Sequence, residues 1–136
     1  MKLKDRVAIV TGGGKGIGQE ICLGLVKEGA KIVIAEIDVE NSEKAKKKII
    51  DAGSEAIIIK TDVSNQNSIN EMVEQTIKHF GKIDILINNA GIRHVKKLLD
   101  HTKQDWDDMI SVNLTAPFLA SPVSYTHLTL PTKRIV

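Results

Sequence analysis

The segment Thr11-Gly12-Gly13-Gly14-Lys15-Gly16-Ile17-Gly18 sets glycines at the spacing Gly-x-x-x-Gly-x-Gly, positions 12, 16 and 18. It lies between a short apolar run and a helical pattern. Glycine suits a chain that must turn sharply, bring its backbone close to a ligand and pack a helix tightly on a strand. A helix that starts here offers free N–H groups and the positive end of its dipole to an anion. Each such contact is modest, about 0.3–1 kcal/mol when exposed, so selectivity rests on the geometry of the whole turn. The chemistry expected is the cradling of a pyrophosphate by Gly12, Gly14, Lys15, Gly16, Ile17 and Gly18. The spacing differs from the G-x-G-x-x-G of the usual dinucleotide fingerprint.

A carboxylate follows at the right distance. Glu36 ends the second apolar run, 20 residues after Gly16 (36 − 16), close to where an acid grips an adenosine ribose. It would accept from both ribose hydroxyls and repel a 2′-phosphate, which favours NAD over NADP. Lys15 pulls weakly the other way, since a basic loop residue suits a 2′-phosphate; it reads equally well as a solvated turn lysine. Asp38 reads as a turn residue.

These groups need elements to position them. Val7–Val10, Lys31–Ile37, Ala56–Ile59 and Ile83–Ile87 read as four buried strands, rich in β-branched residues. Ile17, Ile21 and Leu25, with Cys22 and Val26 beside them, form one apolar helix stripe ended by Gly29. Glu40–Ala52 reads as a Lys-rich surface helix stopped by Gly53. Ser64 is the expected N-cap of a third helix, with Ile69, Met72, Val73, Ile77 and Phe80 on one face and Gly81 at its end. Thr102-Lys103-Gln104-Asp105 resembles a capping box opening a helix that carries Trp106, Met109, Ile110 and Val112. The order β-α-β-α-β-α-β-α implies a Rossmann-type, doubly wound α/β fold with a parallel sheet of strand order 3-2-1-4.

Bulk properties exclude other classes. The chain has 136 residues and a net charge of +2, and its one basic run, Lys46-Lys47-Lys48, sits in the surface helix. That is no nucleic-acid footprint. The single cysteine, Cys22, rules out an intrachain disulfide and favours a reducing, cytoplasmic setting. MKLKDRVAIV runs straight into a strand without a signal-peptide pattern, and the apolar runs are too short to span a bilayer. His79, His94 and His101 are not spaced as metal ligands, so no metal site is expected.

With these residues set out, Thr11–Gly18 resembles the T-G-x-x-x-G-[IL]-G loop of the short-chain dehydrogenase/reductase (SDR) family. Asp62-Val63 is similar to that family's adenine-contacting pair, Asn88-Asn89-Ala90-Gly91 to its N-N-A-G motif, and Asn113 to its catalytic-site asparagine. The resemblance covers residues 1 to about 120 and implies a nucleotide-binding Rossmann-type domain there. It implies that Asp62 accepts from the adenine amino group while Val63 offers a backbone N–H, and that Asn89, Ala90 and Gly91 line the cofactor ribose. It also implies that the Asn113 backbone holds a water in a proton relay. The side chain of Asn113 reads alternatively as an interhelical hydrogen bond, and Asn88 as a brace of the sheet. The implied activity is NAD(P)-dependent interconversion of a secondary alcohol and a ketone. The pattern is similar to 3-oxoacyl-carrier-protein reductases and to glucose or polyol dehydrogenases, whose parent proteins are expected to be homo-oligomers.

The family's chemistry also needs a Ser and a Tyr-x-x-x-Lys. The one tyrosine, Tyr125, is followed four residues on by Thr129, not lysine, and lies only 12 residues after Asn113. Neither it nor Ser121 or Ser124 is assigned a catalytic role. Residues 122–132 also match one reading frame of the common transposase sequencing adapter, so 121–136 is expected to be a non-native tail on an incomplete domain. Three expectations follow: an unpaired outer edge on strand four, poor stability, and no dehydrogenase activity for this chain alone. The competing readings are a nucleotide-binding or regulatory fragment without catalysis and a plain structural α/β domain.

Overall fold

The computed structural model describes residues 1–127 and the strand Arg134–Ile135; the rest of the expected tail, 128–133 and 136, lies outside the described residues. Five parallel strands form one sheet: β1 (Val7–Thr11), β2 (Lys31–Glu36), β3 (Ala56–Lys60), β4 (Ile85–Ile87) and β5 (Arg134–Ile135), in the order β3-β2-β1-β4-β5. The expected order 3-2-1-4 is therefore present. The expectation of an unpaired edge on β4 is corrected, because β5 pairs with it at Ile85↔Arg134 and Leu86↔Ile135. An open parallel edge presents unmatched N–H and C=O groups, which a passing extended segment satisfies.

The helices are α1 (Gly16–Lys27), α2 (Val39–Asp51), α3 (Gln66–Phe80), α4 (Lys103–Ile110) and α5 (Ala116–Tyr125). Two apolar layers result. On one face Val7, Ile9, Val33, Ala35 and Leu86 of the sheet meet Ile69, Met72 and Val73 of α3 and Ala120 of α5. On the other, Ala8, Val10, Ile32 and Ile34 meet Cys22 and Val26 of α1 and Ala45 and Ile49 of α2. Strand alternation sends successive side chains to opposite layers, which explains why these strands read as continuous apolar runs.

Several local expectations shift. The buried line of α1 is Gly18, Cys22 and Val26, one residue round from the predicted stripe. Ile21 and Leu25 are half-buried and Ile17 is 76% exposed. The cap of α3 is Asn65, whose Oδ1 accepts from the Ser68 N–H at 3.0 Å; Ser64 instead closes a turn on Asp62. Both residue types cap well, so composition alone does not choose between neighbours. Asp38 is more than a turn residue: it caps α2 through the Asn41 N–H. The Thr102–Asp105 capping box is formed in both directions. Trp106 is 61% exposed rather than packed. Between α4 and α5 the backbone widens into a π-helical turn, Ser111–Thr115, and α5 runs on through Pro122 to Tyr125.

Candidate functional site

All the motif loops leave the same end of the sheet, at the carboxyl ends of β1 to β4. There they surround a groove of about 370 Å³. A parallel sheet whose order reverses beside β1 opens a crevice at that point, because the β1 and β4 connections run to opposite faces.

The floor of the groove is the glycine loop. Gly12 has φ +65° and Gly16 has φ +54°, a region where a Cβ is costly. A Cβ on Gly18 would run into the Gly12 carbonyl oxygen, and one on Gly12 would stand 3.0 Å from Ala90 Cα. The loop is thus closed against its neighbours on one side. Above Gly16 nothing lies within 4 Å of where a side chain would start. Helices α2, α3 and α4 each begin under a side-chain cap from Asp38, Asn65 and Thr102. Helix α1 has no side-chain cap hydrogen bond and no acidic residue in its first turn. Its leading N–H groups are left without a side-chain partner, an arrangement that suits an anion.

Beneath the loop, the Cys22 thiol donates to the Gly13 carbonyl at 3.8 Å. Burial pushes its pKa up to about 12, so it stays a neutral packing group.

Glu36 forms one end wall. It is 7% exposed. Its Oε2 accepts from the Gly14 N–H at 3.3 Å, and its Oε1 accepts from the N–H groups of Ile37 at 3.1 Å and Asp38 at 3.4 Å. Gly14 therefore serves to seat this carboxylate; a Cβ there would meet Ser42 Oγ at 2.5 Å and Glu36 Cγ at 3.0 Å. Lys15, also on the groove, stands with its Nζ 3.7 Å from Asp38 Oδ2.

Asp62 and Val63 line the wall beside β3. Asp62 Oδ1 accepts from the Ser64 N–H at 3.0 Å and the Ser64 hydroxyl at 2.6 Å, which fixes the turn that presents both residues. On the far wall Asn89, Ala90, Gly91 and Ile92 follow β4. Here the bracing residue is Asn89, not Asn88. Asn89 Nδ2 donates to the carbonyls of Thr11 and Gly12, both at 3.1 Å, while the Asn89 and Ala90 N–H groups donate to Thr11 Oγ1, both at 3.0 Å. Asn88 reaches Ser121 Oγ at 3.4 Å. Successive residues off a strand point to opposite faces, so only one of the pair can reach the loop.

Asn113 sits in the π-helical turn, beside a shallow hollow that it lines with Ala90 to Arg93. Its side chain clamps the backbone of one residue: Nδ2 donates to the Ile92 carbonyl and Oδ1 accepts from the Ile92 N–H, both at 2.8 Å. The hydrogen bond anticipated between helices therefore goes to the loop after β4.

Ten of the twelve residues expected to hold a cofactor line the groove: Gly12, Lys15, Ile17, Gly18, Glu36, Asp62, Val63, Asn89, Ala90 and Gly91. Gly14 and Gly16 lie in the same loop. Sequence reading missed Thr11, whose hydroxyl joins the two loops, and Asp38; an Asp directly before a helical pattern is the signal that marks Asp38 as a cap. Among the described residues no group of three or more His, Cys, Asp or Glu can hold a metal. No helix among them is long and apolar enough to cross a membrane.

The family model of short chain dehydrogenases matches residues 6–134. The chain belongs to the short-chain dehydrogenase family. It is similar to an uncharacterised oxidoreductase of Thermotoga maritima, 40% identical over 119 residues, covering 88% of this chain and 46% of that one. Among solved structures it is similar to a short-chain dehydrogenase from Burkholderia cenocepacia in complex with NADP, with 34% identity, TM-score 0.89, and 94% and 53% of the two chains covered. It is similar also to an NAD+-bound xylitol dehydrogenase, with 30% identity, TM-score 0.89, and 93% and 49% covered. As a short-chain dehydrogenase, the chain spans about half the length of the relatives it matches.

Proposed function

We propose that the groove binds the NAD(P) cofactor of a parent oxidoreductase that interconverts a secondary alcohol and a ketone. The uncapped start of α1, with open space over Gly16, carries this reading, since among the described residues the other α-helices that start after a loop, α2, α3 and α4, are each closed by a side chain. The cofactor would supply the hydride chemistry. This chain's residues bind and orient it. The N–H groups from Gly16 to Gly18 take the pyrophosphate, Glu36 takes the adenosine ribose, and Asp62 with Val63 takes the adenine. Ala90 and Gly91 line the second ribose, while Asn113 fixes the loop after β4 and leaves its own backbone in a widened turn. Such turns recur at functional sites.

Both an NADP-bound and an NAD+-bound relative have the same TM-score to this chain, so backbone shape does not choose the cofactor. The seated Glu36 carboxylate supports NAD. Isothermal titration of the chain with NAD and NADP tests this: tighter binding of NAD is expected, and tighter binding of NADP overturns the preference.

The 136-residue chain by itself is proposed to be inactive, because Tyr125 lacks a lysine four residues on. Oxidation of an alcohol by the purified chain with NAD would refute that. The adapter-like residues support reading 121–136 as a non-native tail. Amplifying the gene from source DNA with outward primers tests it, and the same tail in the recovered gene removes the idea. The parent is further proposed to be a cytoplasmic homo-oligomer acting on small alcohols or ketones. The readings without catalysis, a nucleotide-binding fragment or a structural domain, predict respectively binding without turnover and no binding.

A further inference from the structure

Lys15 is the one cationic side chain among the described residues that line the groove, against the carboxylates of Glu36 and Asp62. A 2′-phosphate on the adenosine ribose needs a cation, and Lys15 is the lining side chain with the charge to supply it. Its ammonium is already engaged. The Lys15 Nζ stands 3.7 Å from Asp38 Oδ2, with Lys15 65% and Asp38 32% exposed in their side chains.

The acceptor is held much more firmly than the lysine. Asp38 Oδ1 accepts from the Asn41 N–H at 3.1 Å, its Oδ2 accepts from Asn41 Nδ2 at 2.6 Å, and its own N–H donates to Glu36 Oε1 at 3.4 Å. The Asn41 side chain and N–H, and then Lys15, hold the Asp38 carboxyl below its ordinary range. It therefore remains an anion at neutral pH, fixed at the start of α2.

We infer that Asp38 is a specificity-determining residue for the dinucleotide, acting through Lys15. It holds the lysine on its own carboxylate and so denies a counter-charge to a 2′-phosphate. Discrimination against NADP then has two sources: Glu36 repels the phosphate directly, and Asp38 occupies the cation that would offset that repulsion. The inference rests on the nucleotide-binding reading of the groove. Asp38 is a positioning residue here, since it acts on the ligand through another side chain.

The size of the effect is bounded. An exposed ion pair is worth at most about 1 kcal/mol, or about fivefold in an equilibrium constant. The test measures NAD and NADP affinities of the unmodified chain, D38N, D38S, K15M and K15M/D38N by isothermal titration. Asn and Ser both cap helices well, so either variant keeps the start of α2. D38N and D38S should raise NADP affinity relative to NAD by about three- to fivefold, and K15M/D38N should show none of that gain. High salt should shrink the gain, which a purely structural role would not do. An equal gain in the K15M background would show Asp38 acting by its own charge and would overturn the inference. Absence of any gain in both D38N and D38S would overturn it too. If the unmodified chain binds neither dinucleotide, the nucleotide reading itself fails; that failure is seen before any substitution is made.

Discussion

Asn89 and Thr11 are joined twice: the Asn89 N–H donates to Thr11 Oγ1 at 3.0 Å, and the Asn89 side-chain amide donates to the Thr11 carbonyl at 3.1 Å. The same amide nitrogen also reaches the Gly12 carbonyl. One side chain thus fastens the turn after β1 to the end of β4, across the line where the groove opens. Replacing it with alanine strands two part-buried carbonyls, at a cost of about 1–3 kcal/mol. N89D should be worse than N89A, because a carboxylate has no proton to give and faces two carbonyl oxygens. N88A should cost less than either. Urea midpoints of the three variants check the ranking.

This pair also marks where sequence reading stops. The glycine spacing, the acid 20 residues on and the alternation of runs are local patterns, and they placed the groove and the order of β1 to β4. Which of two adjacent asparagines braces the loop depends on the phase of β4, and a three-residue strand carries too few residues to reveal its phase. The same one-residue ambiguity separates Ser64 from Asn65. The Lys15–Asp38 pair was out of reach for another reason: it joins two loops that meet only once β1 and β2 are side by side. The π-helical turn around Asn113 has no compositional mark, since an inserted residue leaves the apolar residues available to either turn width.

Two glycines of α1 should respond in opposite directions. A Cβ on Gly18 meets the Gly12 carbonyl oxygen and would stand 2.6 Å from Asn89 Nδ2. G18A should therefore destabilise by about 3 kcal/mol or more, since the obstacle is backbone that cannot move aside. Gly24 is exposed, helical, and has nothing within 4 Å of a Cβ. G24A should stabilise by about 0.5–1 kcal/mol through reduced unfolded-state entropy. Thermal melts of both variants decide the matter, and similar shifts would show that the loop is not closed as described.

At the opposite end of the sheet, Asp84 is 2% exposed and binds Arg6 at 3.1 Å, the Val7 N–H at 2.9 Å and Lys82 at 3.2 Å. It ties the entry of β1 to the entry of β4 and takes no part in the groove. D84A should cost about 2–4 kcal/mol, less than for a fully sealed pair because both cations are partly solvated. Nucleotide affinity of the folded fraction should be unchanged. A loss of stability without a change in affinity, measured by denaturant titration and by calorimetry, would separate this anchor from the site.

Asp105 gives the start of α4 an acid-sensitive lock. The Lys96 ammonium at 2.7 Å, and then the Thr102 N–H at 3.0 Å, hold its carboxyl well below the ordinary carboxylate range. The folded state therefore binds this proton less readily than the unfolded chain, whose Asp titrates near about 3.9. Its contribution is complete above that value and fades as pH falls towards the lowered folded one. D105N keeps an acceptor for the Thr102 N–H but loses the charge on Lys96. The gap in urea midpoint between the unmodified chain and D105N should be constant from pH 7 to about pH 5 and should narrow below about pH 4. A gap that widens on acidification would place the stabilising form of Asp105 on the protonated side and reverse the assignment of Lys96 as its partner.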